Sequence, residues 1–222
     1  QSPTINWSRM IDLEKSVIEI GPYTLLTVDE GYSAITQNNG KQHVLPGGQV
    51  YLLNHRNWKF EKFITEKIQT DDLSQIKVIT ADNVLMICTA TVSWRITDVT
   101  TAAVMAANTM EERDDRDHIK KLRKDVLKQA EASLSSFIGT INFSDNLGAS
   151  AKVQVAAQAP VLGKVADGAE TSSALFDEQR LDCAVAHANR GTSKYGVSII
   201  SLNIISGFPA DGDLLTSLAK GA

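Results

Sequence analysis

The chain has 222 residues, 43% hydrophobic and 22% charged, with a net charge of -4 at pH 7. That suits one substantial soluble domain or two small ones, and the acidic balance argues against a dedicated nucleic-acid binder. Two cysteines make no disulfide framework, and neither a run of ~18 apolar residues nor a signal-peptide pattern occurs.

Residues 1–29 read as a lead-in segment followed by a first strand. Trp7, Met10, Ile11 and Leu13 are its docking points. Val17 to Val28 is extended and broken at Gly21-Pro22, because proline cannot donate to a ladder. Glu30 to Gln37 is a strand, and Asn38-Asn39-Gly40 is a strong turn signal. Gln42 to Leu45 returns as far as Pro46-Gly47-Gly48. Val50 to Leu53 and Trp58 to Gln69 supply further short strands, most naturally antiparallel.

The clearest element runs from Ile76 to Asp98. Val84, Met86, Cys88, Ala90, Val92, Trp94 and Ile96 alternate with Thr89, Thr91, Ser93 and Arg95; Leu85 and Ile87 break the pattern near its start. A period of two predicts a strand with one buried face, which makes Cys88 a reduced core cysteine. Ile76 and Val78 begin a shorter partner strand, and Ala81-Asp82-Asn83 supplies the reversal.

Helices follow. Thr100 to Asn108 is alanine-rich, with Asp98 or Thr100 as cap. From Glu111 to Ile138, Ile119, Leu122, Val126, Leu134 and Ile138 keep helical spacing, with Gly139 as the stop. Residues 144–173, rich in Ala, Gly, Ser and Val, read as a long insertion. Ala174 to Arg190 is a second helix ended by Gly191. Val197 to Ile205 is a β-branched strand apolar on both faces, which predicts a place inside a sheet. Residues 210–222 open a C-terminal helix at Asp213. Strands grouped ahead of helices predict an α+β fold: an antiparallel-rich sheet from the N-terminal half plus the C-terminal strand, packed with two or three helices.

Catalysis finds little support. No GxSxG, P-loop or GxGxxG sequence occurs. The histidines are His43, His55, His118 and His187. Cys183 and His187 are spaced i, i+4, but a zinc site needs about two more ligands and no matching pair is evident. The reading is therefore no enzyme, no metal, no cofactor and no small-molecule substrate. The one basic cluster, Ile119-Lys120-Lys121-Leu122-Arg123-Lys124, reads either as the solvated face of a helix or as a contact for anionic lipid or an acidic neighbour.

Several pieces in order resemble the SPFH (band-7, prohibitin-homology) family of stomatin, prohibitin and flotillin. They are Glu30-Gly31, Gly40-Lys41 with Leu45-Pro46-Gly47, Thr80-Ala81-Asp82-Asn83-Val84, Val92 to Asp98, Leu122-Arg123, and Tyr195-Gly196-Val197 with Phe208-Pro209. Val17 to Tyr23 is also similar to the repeat opening of major vault protein. The resemblance implies an SPFH-like domain over 30–209, with 144–173 longer than the family's usual connection. It also implies an intracellular, membrane-associated scaffold whose copies, or related paralogues, pack side by side into a ring or cage. Such an assembly would organise a membrane microdomain or partner proteins. The family's hydrophobic anchor and long coiled coil would then lie before Gln1 and after Ala222. A monomeric adaptor for a partner protein or protease, or a soluble vault-like shell component, is the alternative. Expected inter-subunit contacts are Glu111, Glu112, Asp114, Asp115, Lys120, Lys121, Arg123 and Lys124. Expected membrane-proximal residues are Leu52, Leu53, Trp58 and Phe60, with packing in the core as the other reading of each.

Overall fold

The computed structural model describes residues 15–105, 119–143 and 178–210. Among these, nine strands and three α-helices form an α+β fold with antiparallel sheets, as predicted. The expected lead-in at 1–14, the acidic residues Glu111, Glu112, Asp114 and Asp115, the 144–173 insertion and the C-terminal helix after 210 lie outside the described residues. The chain divides into two compact units, one from 1–67 and 96–122, the other from 68–95 and 123–222.

The first unit holds two three-stranded sheets. In one, β1 (Val17–Ile20), β2 (Tyr23–Val28) and β5 (Gln49–Leu53) lie in that order. In the other, β3 (Tyr32–Asn38) lies between β4 (Lys41–Pro46) and β6 (Trp58–Thr65). The β3–β4 hairpin closes through Asn39-Gly40, both at positive φ (50° and 80°), the two-residue turn the sequence announced. The imperfect alternation after Trp58 has a cause: Thr36 pairs with Phe60 but Ile35 with Lys62, so Glu61 is one residue extra. Inward residues from both sheets make the core, with Leu26, Val28 and Ala34 buried and Tyr32, Leu45, Tyr51, Phe60 and Phe63 packed on them. Helix α1 (Val99–Met105) is capped by Asp98. Its Oδ1 accepts from the Thr101 amide at 3.0 Å and its Oδ2 from the Thr101 hydroxyl at 2.6 Å, which holds the carboxyl below its ordinary value.

The second unit is built on β7 (Gln69–Ile79), β8 (Leu85–Ile96) and β9 (Val197–Pro209), in that order. Met86, Cys88, Ala90, Val92, Trp94 and Ile96 are all buried, as the alternation predicts. Burial pushes the free Cys88 thiol up to about 11. Strand β7 is longer than its apolar residues suggested. A register shift between Leu73 and Ile76, with Gln75 at φ 58°, lets it continue back to Gln69. The amide of Ala210 donates to the Leu85 carbonyl at 2.8 Å, joining the end of β9 to the start of β8, so these strands run in opposite directions.

Two expectations need correction. Strand β9 runs on through Gly207 to Pro209 and lies at the edge of its sheet, leaving Ile200 and Ile205 exposed, rather than inside it. A side chain at Gly207 would meet Cys88 Sγ and Met86 Cε at 3.1 and 3.2 Å, so glycine there admits the strand. Nor does Gly191 end the second long helix. Helix α3 (Glu178–Thr192) passes through it and a 3-10 turn, Ser193–Tyr195, leads to Gly196 at φ 69°. A Cβ at Gly191 would lie 2.7 Å from the Gln129 side chain, so this glycine admits the close approach of α2 (Lys120–Ile138). Gly139 does follow the last residue of α2, as predicted. Between the helices Ser133 Oγ and His187 Nδ1 are 3.0 Å apart. On β9 the Asn189 amide acts as a strand partner, accepting from the Ile199 amide at 2.7 Å and donating to its carbonyl at 2.9 Å.

Candidate functional site

The first unit's β1–β2–β5 sheet has two unlike faces. Its inner residues Leu26, Val28 and Leu53 are core. On the outer face the pairing lines up Ile18, Leu25 and Leu52 across all three strands. Ile20 and Tyr23 face each other beside the hairpin loop, and Val50 pairs with Thr27. Tyr23 is 46% exposed, Leu52 56% and Val50 60%. One side of one small sheet therefore offers six apolar side chains and a threonine, with no charge among them. Single exposed leucines are ordinary; a contiguous apolar sheet face marks an interaction surface.

Near the hairpin loop the opposite side turns polar. Glu19 and Thr24, paired across it, line a cavity of about 330 Å³ with Gly21, Pro22, His55, Arg56, Trp58 and Lys59, and the apolar Val17 and Phe60 border it. Trp58 is held in place. Its indole N–H donates to Thr36 Oγ1 at 3.0 Å, and the rings of His43 and His55 lie 6.4 and 6.2 Å from its own.

The expected membrane-proximal residues separate accordingly. Leu52 is on the outer face, whereas its neighbour Leu53 is fully buried, because successive strand residues point to opposite sides. Trp58 borders the cavity, and Phe60 packs against Phe63 at 4.6 Å between centroids. Ile18, Ile20, Tyr23, Leu25 and Val50 were not singled out by sequence. Of the expected inter-subunit residues, Lys120, Lys121 and Lys124 are exposed on α2. Arg123 instead engages its own chain, with Nε 3.4 Å from Asp71 Oδ1 and a guanidinium N–H donating to Gln69 Oε1 at 3.4 Å. Cys183 is exposed, while His187 faces Ser133. Among the described residues no group of three or more His, Cys, Asp or Glu is placed to hold a metal ion.

The residues that carried the resemblance prove to be joints. Thr80 Oγ1 accepts from the Val84 amide at 3.1 Å and lies 2.6 Å from Asp82 Oδ1. Asp82 in turn accepts from the Phe143 amide at 2.9 Å, tying the hairpin to the chain beyond α2. The Trp94 indole N–H donates to Asp71 Oδ2 at 2.7 Å. A family model described as SPFH domain / Band 7 family matches residues 19–206. The chain belongs to the SPFH / Band 7 family. No curated protein matches it. SPFH proteins are in general membrane-associated, non-enzymatic scaffolds. Among the described residues no helix of this SPFH chain is long and apolar enough to cross a membrane.

Proposed function

We propose that this SPFH chain is a non-enzymatic scaffold module that meets a membrane surface through the outer face of its β1–β2–β5 sheet. Its copies, or related paralogues, would assemble side by side into a ring or cage that organises a membrane microdomain or partner proteins. The observation carrying the membrane contact is the uncharged apolar face of Ile18, Ile20, Tyr23, Leu25, Val50 and Leu52. A face of this kind gains free energy by entering the boundary between headgroups and acyl chains. Self-association is supported by a second set of exposed apolar residues, Ile79, Leu85, Ile200, Ile205 and Phe208, on the β7–β8–β9 sheet. The exposed Lys120, Lys121 and Lys124 offer a complement to the acidic Glu111, Glu112, Asp114 and Asp115 of a neighbouring copy.

Sedimentation and light scattering of the full-length protein, with and without vesicles, test this reading. A scaffold sediments as an oligomer and adsorbs to vesicles, and reversing Lys120, Lys121 and Lys124 to Glu weakens the assembly. A monomer that binds a partner protein would instead identify an adaptor. Assembly without adsorption would identify a soluble shell component.

A further inference from the structure

We propose that the cavity behind the β1–β2 hairpin seats the headgroup of an ethanolamine-type phospholipid: a phosphate diester joined through two carbons to a primary ammonium. The proposal rests on the membrane-facing reading above and names the lipid chemistry read beside that face.

The cavity carries charges of both signs. Arg56 and Lys59 line it together with Glu19, and no ion pair joins the carboxylate to either cation. Opposite charges that share a cavity without pairing suit a ligand that is itself dipolar. Arg56 and Lys59 supply donors for a phosphate, the guanidinium in a planar fork and the ammonium as a point charge. Glu19 accepts N–H bonds from a primary ammonium. Trp58, held by its bond to Thr36, lines the same cavity. A volume of about 330 Å³ lies at the small end of ligand cavities, which suits a headgroup rather than a whole lipid.

Adjacency supports the lipid source. Glu19 and Thr24 adjoin Ile20 and Tyr23 of the apolar face along the same hairpin, so a ligand in the cavity sits beside the surface read as meeting the membrane. Strand β1 is an edge of its sheet, so the cavity is reached from the side without parting any strand pair.

The test uses the full chain and two kinds of probe. In the first, glycerophosphoethanolamine, inorganic phosphate and ethanolamine are each titrated by ligand-observed NMR. The expected result is that glycerophosphoethanolamine binds about ten-fold more tightly than either fragment. Glu19→Gln and Arg56→Gln should each weaken it about ten-fold, as loss of one charge-assisted hydrogen bond implies, while Lys124→Gln leaves it unchanged. In the second, flotation compares phosphatidylcholine vesicles with 7:3 phosphatidylcholine–phosphatidylethanolamine vesicles. The wild type should prefer the mixture and Glu19→Gln should not. Phosphate binding as tightly as the diester, or no soluble probe binding while vesicle adsorption persists, overturns the headgroup seat alone. Soluble binding without adsorption to any vesicle overturns the lipid assignment together with the membrane reading.

Discussion

Replacing Trp94 by phenylalanine isolates one bond at the centre of the second unit. Trp94 is fully buried, and its indole N–H reaches Asp71 Oδ2 at 2.7 Å. A hydrogen bond to a charged acceptor contributes about 1.5–3 kcal/mol. Loss of the pyrrole half of the ring adds about 1 kcal/mol for the space left in a packed core. Trp94→Phe should therefore cost about 2.5–4 kcal/mol. Asp71→Asn keeps an acceptor for the indole and gives up the charge facing Arg123. That ion pair is 3.4 Å long and its side chains are 31% and 21% exposed, so the change should cost about 1 kcal/mol. Urea unfolding followed by far-UV circular dichroism measures both without relying on tryptophan fluorescence. A Trp94→Phe cost below about 1 kcal/mol, or one equal to that of Asp71→Asn, would refute the assignment of the indole–carboxylate bond as the stabilising contact.

Three further substitutions or labellings follow from the same geometry. Thr80→Val keeps the shape of a buried residue but takes from the Val84 amide its side-chain acceptor and from Asp82 one of its donors; it should cost about 1–3 kcal/mol in urea unfolding, against less than ~1 for Thr80→Ser. Gly47→Ala would place a Cβ 2.3 and 2.4 Å from the Asp29 and Tyr32 carbonyl oxygens, backbone atoms that cannot step aside; a loss of about 3 kcal/mol or more is expected, and a thermal midpoint within a degree of wild type would contradict it. Cys88, buried and pushed up to about 11, should resist a thiol reagent at pH 8 while the exposed Cys183 reacts, so the native protein titrates one thiol and the urea-unfolded protein two.

How much of this was legible depended on whether the signal was local. Strand β8 declared itself because its inward residues alternate without a break from Met86 to Ile96. Asn39-Gly40 announced its hairpin for the same reason, since both residues tolerate positive φ. The length of β7 was hidden, because the step from Leu73 to Ile76 breaks the period of two at the bulge. Gly191 carried the outward mark of a helix stop, yet it answers to Gln129 on another helix. The Asp71–Trp94 bond joins residues 23 apart, and the Asn189 clamp on Ile199 gives no periodic trace at all.

The outer apolar face was unreadable for a related reason. Ile18, Leu25 and Leu52 lie on three strands, and each alone is an unremarked residue in a short run. Only the pairing of β1 with β2 and of β2 with β5 brings them into one row. The same alternation separates Leu52 from Leu53, which the sequence had offered together.

Vesicle partitioning of Val50→Ser/Leu52→Ser tests the central claim most directly, because both side chains are already more than half exposed and their loss should leave the fold intact. Burying what they now expose is worth about 2 kcal/mol together, so adsorption to phosphatidylcholine vesicles should fall roughly thirty-fold at unchanged circular dichroism. Adsorption equal to wild type would contradict the assignment of this sheet face to the membrane.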